Sequence, residues 1–136
     1  MDGVGNYLVT LPSFLLYFAC SLALTAAFLF IYMRVTPHNE WKLIGDGNAA
    51  AALSLAGAGL GFILPLASSI AHSLSVIDMI VWGVVAMAVQ LATFLVARLL
   101  RPGLVAEIDQ GRMASAIALA ALSVGVGILN AACMSY

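Results

Sequence analysis

Charged residues are scarce in this 136-residue chain, which has five Lys and Arg, six Asp and Glu, and only 8% charged side chains in all. Soluble domains carry about a quarter charged residues, so the composition excludes a soluble globular protein. Cysteine is also rare, and Cys20 and Cys133 are expected to pack as small apolar side chains rather than pair. Because bases are so few, we expect no nucleic-acid binding.

The rare charges separate long uncharged stretches, at 3–33, 47–77, 79–97 and 113–136. Each is near or above the ~20 residues that a helix needs to cross ~30 Å of hydrocarbon. The stretches are continuously apolar rather than alternating, which favours helices over a β-barrel. We therefore predict an all-α integral membrane protein with one transmembrane domain over 1–136. Its four predicted transmembrane helices lie near 12–33, 48–70, 79–98 and 113–133.

The basic residues predict the orientation of these helices. Arg34 and Lys42 lie between the first two spans, whereas Arg98, Arg101 and Arg112 flank the connection between the last two. The opposite side has no Lys or Arg, and such an asymmetry indicates that the basic loops face the cytoplasm. We expect a multi-pass membrane protein with its N-terminus and C-terminus outside.

The chain also shows an internal repeat. When each residue is compared with the one 64 positions later, Gly47 matches Gly111 and Gly61 matches Gly125, and Pro37 matches Pro102 with one residue of slip. Matched Gly and Pro positions are more informative than the Ala matches that accompany them, because alanine is abundant in these helices. We predict a tandem repeat of two helical hairpins, about 12–70 and 79–136.

A polar loop, TPHNEWKLIGDG at 36–47, is the most unusual local feature. Its counterpart, RPGLVAEIDQGR at 101–112, keeps the Pro and the Gly, so a turn accounts for the recurring part, with Asp46 or Asn48 as the cap of the next helix. The non-recurring part is a candidate docking surface for a protein partner. It comprises His38, Asn39, Glu40, Trp41 and Lys42. Two potential ligands do not make a metal site, so we predict neither metal nor cofactor.

Small residues line two of the predicted spans and indicate close helix packing. The packing candidates are Gly57, Gly61, Ala116, Ala120 and Gly127. Such a stripe serves packing within one bundle or between protomers, and we expect a homo-oligomer. The alternative is that the missing side chains leave room for a lipid tail or a narrow pore.

Pro65 is expected to free one backbone carbonyl, because it has no amide hydrogen to bond the carbonyl of Gly61. Lipid cannot satisfy that oxygen. Under the repeat, Asn130 lies at nearly the same depth and is the expected donor, with Gln90 and Thr93 as the other candidates. A functional alternative combines Gly61, Pro65, Ser68 and Asn130 in a small solute site.

Three segments, TPHNEW, NAAAALSLAGAGLGFILPL and NAACMSY, resemble the YjfL-like bacterial inner membrane proteins, the domain of unknown function 350 family. The resemblance runs from about Tyr17 to the end of the chain. It implies tandem pairs of transmembrane helices and no established biochemical activity. It also implies neighbouring genes for envelope-stress proteins of the phage-shock type and for ATP-grasp enzymes.

Two classes of function follow from these observations. The first is a non-enzymatic, oligomerising membrane module, surrounded by membrane lipids, that docks a cytoplasmic or envelope-stress partner through its cytoplasmic loops. The second is a small transporter or channel with a polar site near Pro65 and Asn130, although no acid or base lies deep in any span. An enzyme is not expected, because the chain offers no recognisable set of nucleophile, base and metal ligands.

Overall fold

The computed structural model describes residues 3–37 and 39–134, in which every regular element is an α-helix. The helices of these ranges are α1 (Gly3–Val35), α2 (Glu40–Gly45), α3 (Ala49–His72), α4 (Val76–Leu100), α5 (Leu104–Asp109) and α6 (Met113–Cys133). Four of them, α1, α3, α4 and α6, are long and apolar enough to cross a membrane. The all-α class and the four predicted spans are therefore confirmed.

The first helix starts earlier than the predicted boundary near residue 12. It begins at Gly3 and continues through Pro12 without interruption. A proline inside a helix removes only one hydrogen bond, that to the carbonyl of Leu8, and apolar residues on both sides still favour a helix in lipid. With 33 residues, α1 is roughly 50 Å long and exceeds the thickness of the hydrocarbon.

Helix α3 is the central element of the bundle. Over its most apolar stretch 56% of residues are buried, compared with 11% for α1. Its closest neighbour is α6, and α4 packs beside both. Helix α1 lies at the periphery, where its first two-thirds has no buried side chain.

An aromatic cluster attaches α1 to the rest of the bundle. The rings of Phe28 on α1 and Phe62 on α3 are stacked with their centroids 4.6 Å apart. One turn further along α1, Tyr32 meets Phe94 of α4 edge to face at 5.5 Å. All four side chains are at most 2% exposed, and such pairs contribute about 0.5–1.5 kcal/mol beyond the area they bury.

The two short helices end in the same kind of turn. Gly47 after α2 and Gly111 after α5 have φ values of 88° and 80°. Glycine adopts this left-handed conformation at a much lower conformational energy than a residue with a Cβ. In both turns the glycine amide bonds the carbonyl three residues earlier, and the next amide bonds the carbonyl five residues earlier. These are the hydrogen bonds of a Schellman motif, which ends each short helix and starts the next long one.

Both turns lie at one end of the bundle, which we call the basic end. All five Lys and Arg residues of the chain belong to it: Arg34, Lys42, Arg98, Arg101 and Arg112. The short helices α2 and α5 cover this end.

Candidate functional site

The small residues of α3 and α6 bring the two backbones into direct contact. A methyl group built on Gly57 would lie 2.5 Å from the α-carbon of Ala120. One built on Gly61 would lie 2.3 Å from the carbonyl oxygen of Ser123, and one on Gly127 would lie 2.3 Å from the carbonyl oxygen of Gly61. These distances are too short for any real Cβ. The contact between α3 and α6, which we call the seam, therefore requires glycine at Gly57, Gly61 and Gly127.

The stripe of small residues therefore faces the inside of the protomer. Ala116 is fully buried and Ala120 is 8% exposed. Because α3 covers this stripe, its small residues pack within one bundle, which is the first of the two alternatives that the sequence left open. The physical reason is that α3 brings its own glycines to the same face.

The structure also corrects the expected partner of the Gly61 carbonyl. This oxygen lies beside Gly127 of α6, where a methyl group on Gly127 would be 2.3 Å from it. The amide nitrogen of Asn130, the predicted donor, is buried and makes no hydrogen bond in the described part of the chain. The expected bond is therefore absent, because Gly127 itself occupies the space next to the freed oxygen.

Gln90 is the amide that lies against this part of the seam. Its side chain is 1% exposed, and its Nε2 donates a 2.9 Å hydrogen bond to the carbonyl oxygen of Ser123. The same nitrogen would lie 2.6 Å from a Cβ on Gly61. Its Oε1 is buried without a hydrogen bond. Gln90 therefore donates across the contact between α4 and α6, to the Ser123 carbonyl and not to the Gly61 carbonyl for which it was an alternative donor.

Two of the four residues of the predicted solute site are buried in close packing. Gly61 and Pro65 are buried in the seam, and even a methyl group on Gly61 would overlap the backbone of α6. Ser68 lies further along α3, where its carbonyl oxygen is 2.9 Å from Nδ1 of His72. A solute therefore has no room beside Gly61.

At the basic end, α2 exposes part of the predicted docking loop. Asn39 caps the helix, its Oδ1 accepting a 3.1 Å hydrogen bond from the backbone nitrogen of Lys42. Trp41 is 74% exposed, and Asn39 and Lys42 are exposed as well. His38 lies outside the described residues.

Glu40 is not part of that exposed surface. It is 1% exposed, and its carboxylate accepts a hydrogen bond from the hydroxyl of Thr36. Glu40 therefore lies beneath the exposed part of the predicted docking loop. Its hydrogen bond links the first residue of α2 to the residue that follows α1, and a buried carboxylate needs such a partner to compensate for lost water.

A second polar cluster holds α5 in place. The guanidinium of Arg101 donates to both carboxylate oxygens of Glu107, with 2.9 Å from Nη2 to Oε1 and 3.0 Å from Nε to Oε2. Ser115 on α6 donates its hydroxyl to the same carboxylate. These hydrogen bonds, first from Arg101 and then from Ser115, lower the pKa of Glu107 below its ordinary value. The same pair raises the pKa of Arg101.

Asn48 connects the two halves of the basic end. Its Oδ1 accepts a 3.1 Å hydrogen bond from the backbone nitrogen of Ala51 and caps α3, so Asn48 rather than Asp46 is the cap. Its Nδ2 donates to the carbonyl oxygens of Ile108 and Asp109 at 3.0 and 3.2 Å. These carbonyls belong to the last turn of α5, where helix oxygens have no intrahelical partner.

A groove of about 470 Å³ runs between the two Schellman turns. We call it the loop groove and define it by Asp46, Gly47, Asn48, Asp109, Gln110 and Gly111. Two carboxylates line it, and none of its lining residues is Lys or Arg. In the described ranges no three His, Cys, Asp or Glu side chains come together as a metal site would require.

Sequence reasoning missed two features of this end. The link from Asn48 to α5 joins residues 60 positions apart and has no local signal. The second feature is the position of Arg34 over the ring of Phe30. The sequence does contain a local signal for this contact, because residues four apart lie on the same face of a helix.

Comparison with known proteins agrees with the helical architecture. The chain is 39% identical over 131 residues to the UPF0719 inner membrane protein YjfL of Escherichia coli strain K12, an alignment that covers 96% of this chain and 99% of the relative. It is 28% identical over 118 residues to the UPF0719 transmembrane protein YshE of Bacillus subtilis strain 168, which covers 85% and 88% of the two chains. No solved structure matches the chain.

The expected location is confirmed by the name of the first relative and by the four apolar helices, so this is a multi-pass inner-membrane protein. The model of the family described as Domain of Unknown Function (DUF350) matches residues 6–134. These matches span nearly the whole chain, and the protein therefore belongs to the DUF350 family.

Proposed function

We propose that the protein is a non-enzymatic membrane module whose two loops at the basic end dock a cytoplasmic protein partner. The observation that carries this proposal is the bridge from Asn48 to the last carbonyls of α5. It joins two loops from distant parts of the chain into one preformed surface. A preformed surface loses little entropy on binding, which favours a docking role.

The chemistry of the loop groove indicates the kind of partner. Asp46 and Asp109 are exposed in it, and complementary charge both steers a partner and fixes its register. The proposed partner is therefore a protein that inserts a Lys- or Arg-bearing segment between the two turns. The sequence resemblance, with its neighbouring genes for envelope-stress proteins, makes such a protein the first candidate.

The orientation and the repeat are part of the same proposal. All five Lys and Arg residues lie at the basic end, which supports a cytoplasmic location for the groove. Two Schellman glycines that are 64 positions apart, each followed by a long helix, support a tandem repeat of two hairpins. The groove then lies where the two repeats meet.

The proposed self-association requires another surface, because the small-residue stripe is covered. Helix α1 offers one: it has stacked, exposed rings at Phe14 and Phe18. We propose α1 as the surface for a second copy. Replacing both rings by Ala should reduce dimer formation in nanodiscs, and an unchanged dimer fraction would exclude this face.

Capture of partners from native membranes tests the docking proposal. Asp46→Asn with Asp109→Asn removes the groove charge at constant shape, whereas Asp78→Asn removes an acid at the opposite end of the bundle. We expect the groove variant to retain about tenfold less partner, the ratio for ~1.4 kcal/mol, and the control to retain it fully. Equal capture by all three proteins would refute the groove. If no partner is captured and reconstituted liposomes show solute flux, the transporter hypothesis replaces this one.

A further inference from the structure

A second pocket opens where α1 ends and α2 begins, away from the loop groove. It has a volume of about 420 Å³. We call it the corner pocket and define it by the residues that carry its chemistry, Phe30, Arg34, Asn39 and Trp41. Its lining residues are separate from those of the loop groove, although Asn39 and Trp41 belong to one of the two proposed docking loops.

Arg34 is the cation of the corner pocket. Its guanidinium carbon lies 4.8 Å from the centre of the Phe30 ring, and it forms no ion pair within the described part of the chain. Stacking on a ring holds one face of the guanidinium and leaves its N–H edge for a ligand.

The other exposed polar groups of the pocket are also donors. The Oδ1 of Asn39 is already engaged by the backbone of Lys42, so this side chain offers its NH2 group to a ligand. The indole of Trp41 can only donate, and the residue is 74% exposed. Three donor groups, one of them charged, match the oxygens of a phosphate.

The one acid of the pocket belongs to its inner wall. Glu40 is 1% exposed, and its carboxylate accepts a hydrogen bond from Thr36. Because this acid is buried and Arg34 is exposed, the accessible side of the pocket is positive.

We propose that the corner pocket binds the headgroup phosphate of an anionic phospholipid. Lipid is favoured over a soluble phosphate by the surface just below the pocket, where Phe30 is 57% and Ile31 is 37% exposed on an apolar, membrane-spanning helix. An acyl chain can lie along these residues while the phosphate contacts Arg34. Trp41 lies at the same level, as tryptophans at a membrane interface do.

Quenching of Trp41 fluorescence by brominated lipids tests the site. The chain has two tryptophans, so Trp82→Phe makes Trp41 the only reporter. The protein is placed in phosphatidylethanolamine nanodiscs that contain a minor fraction of either brominated phosphatidylglycerol or brominated phosphatidylethanolamine. We expect quenching to report an enrichment of phosphatidylglycerol of about fivefold, the ratio for one basic side chain at an anionic surface.

Matched variants identify the residue responsible. Arg34→Gln should abolish the preference. Arg98→Gln should preserve it, because Arg98 is an exposed base in the last turn of α4 and does not line the pocket. Equal quenching by both lipids, or an equal loss in the two variants, would overturn the proposal. So would a saturable response of Trp41 to inorganic phosphate in lipid-free detergent, since the ligand would then be a soluble anion.

Native mass spectrometry provides a measurement that needs no variant. The unmodified protein should retain phosphatidylglycerol in preference to phosphatidylethanolamine as activation energy rises. If Arg34→Gln does not fold, absence of this preference in the unmodified protein overturns the proposal.

Discussion

The carbonyl oxygen of Gly61 on α3 lies so close to Gly127 on α6 that a methyl group on Gly127 would be 2.3 Å from this oxygen. Gly61 is also the residue whose carbonyl Pro65 leaves without a helical hydrogen bond. Because Gly127 has no Cβ, α6 can pack closely beside the oxygen that Pro65 leaves without a helical hydrogen bond.

Replacing Gly127 with Ala should destabilise the bundle, since the added methyl group meets backbone that cannot move away cheaply. Overpacking of this kind costs about 1–3 kcal/mol. Gly125→Ala is the matched control, because a Cβ at Gly125 has nothing within 4 Å. Reversible unfolding in mixed detergent measures the free energy of unfolding of both variants. Equal stability of the two would contradict the close backbone contact at Gly127.

Asn130→Leu should leave the free energy of unfolding unchanged or raise it. The amide nitrogen of Asn130 is buried without a hydrogen bond, and removing an unsatisfied polar group from the interior is not costly. Its effect should simply add to that of Pro65→Ala, because the two residues do not share a hydrogen bond. If Asn130→Leu instead lowers the stability and Pro65→Ala reverses that loss, the hydrogen bond from Asn130 to the Gly61 carbonyl would be present after all.

Gln90→Leu should cost more than Asn130→Leu, since the amide of Gln90 donates to the Ser123 carbonyl. Hydrogen bonds inside membranes are worth about 0.6 kcal/mol on average, so the expected loss is small. The same unfolding assay decides the order of the two variants. The reverse order would mean that Asn130 has the more important polar contact.

Two substitutions of Asn48 should separate the roles of its side-chain oxygen and nitrogen, because these two atoms have different partners. Asn48→Asp keeps the oxygen that caps α3 but loses the nitrogen that binds the Ile108 and Asp109 carbonyls. Hydrogen exchange should therefore rise in α5 while the first turn of α3 stays protected. Asn48→Ala should also lose the cap, at about 1 kcal/mol. Unchanged exchange in α5 after Asn48→Asp would show that the bridge does not hold this helix.

Lowering the pH should destabilise the packing of α5, because it protonates the carboxylate of Glu107. The folded-state pKa of Glu107 is lowered from its ordinary value near 4.5, so its contribution to stability is complete above that value. It is lost as the pH falls through the lower folded-state pKa. Glu107→Gln should therefore be less stable than the unmodified protein at neutral pH, and the two should converge once the pH falls below the folded-state pKa of Glu107. A difference that does not depend on pH would exclude the carboxylate as its source.

The sequence alone was enough to determine the helical membrane class, because the few charges leave four uncharged stretches longer than the bilayer requires. It also located the polar turns, since a Pro that stops a helix and a Gly that starts the next one act locally. Residues of this kind can be interpreted one loop at a time.

Tertiary structure decided which faces of the helices meet. The small-residue stripe of α6 is equally suited to a partner protomer, and only the approach of α3, with Gly57 and Gly61 opposite it, directs it inward. The depth match between Asn130 and Pro65 did not predict a hydrogen bond, because depth along a helix says nothing about rotation around it. Glu40 is likewise buried, in a short helix that packs mainly against α3. Rotation and docking depend on contacts between residues far apart in the chain, and a single sequence does not encode those contacts in any local pattern.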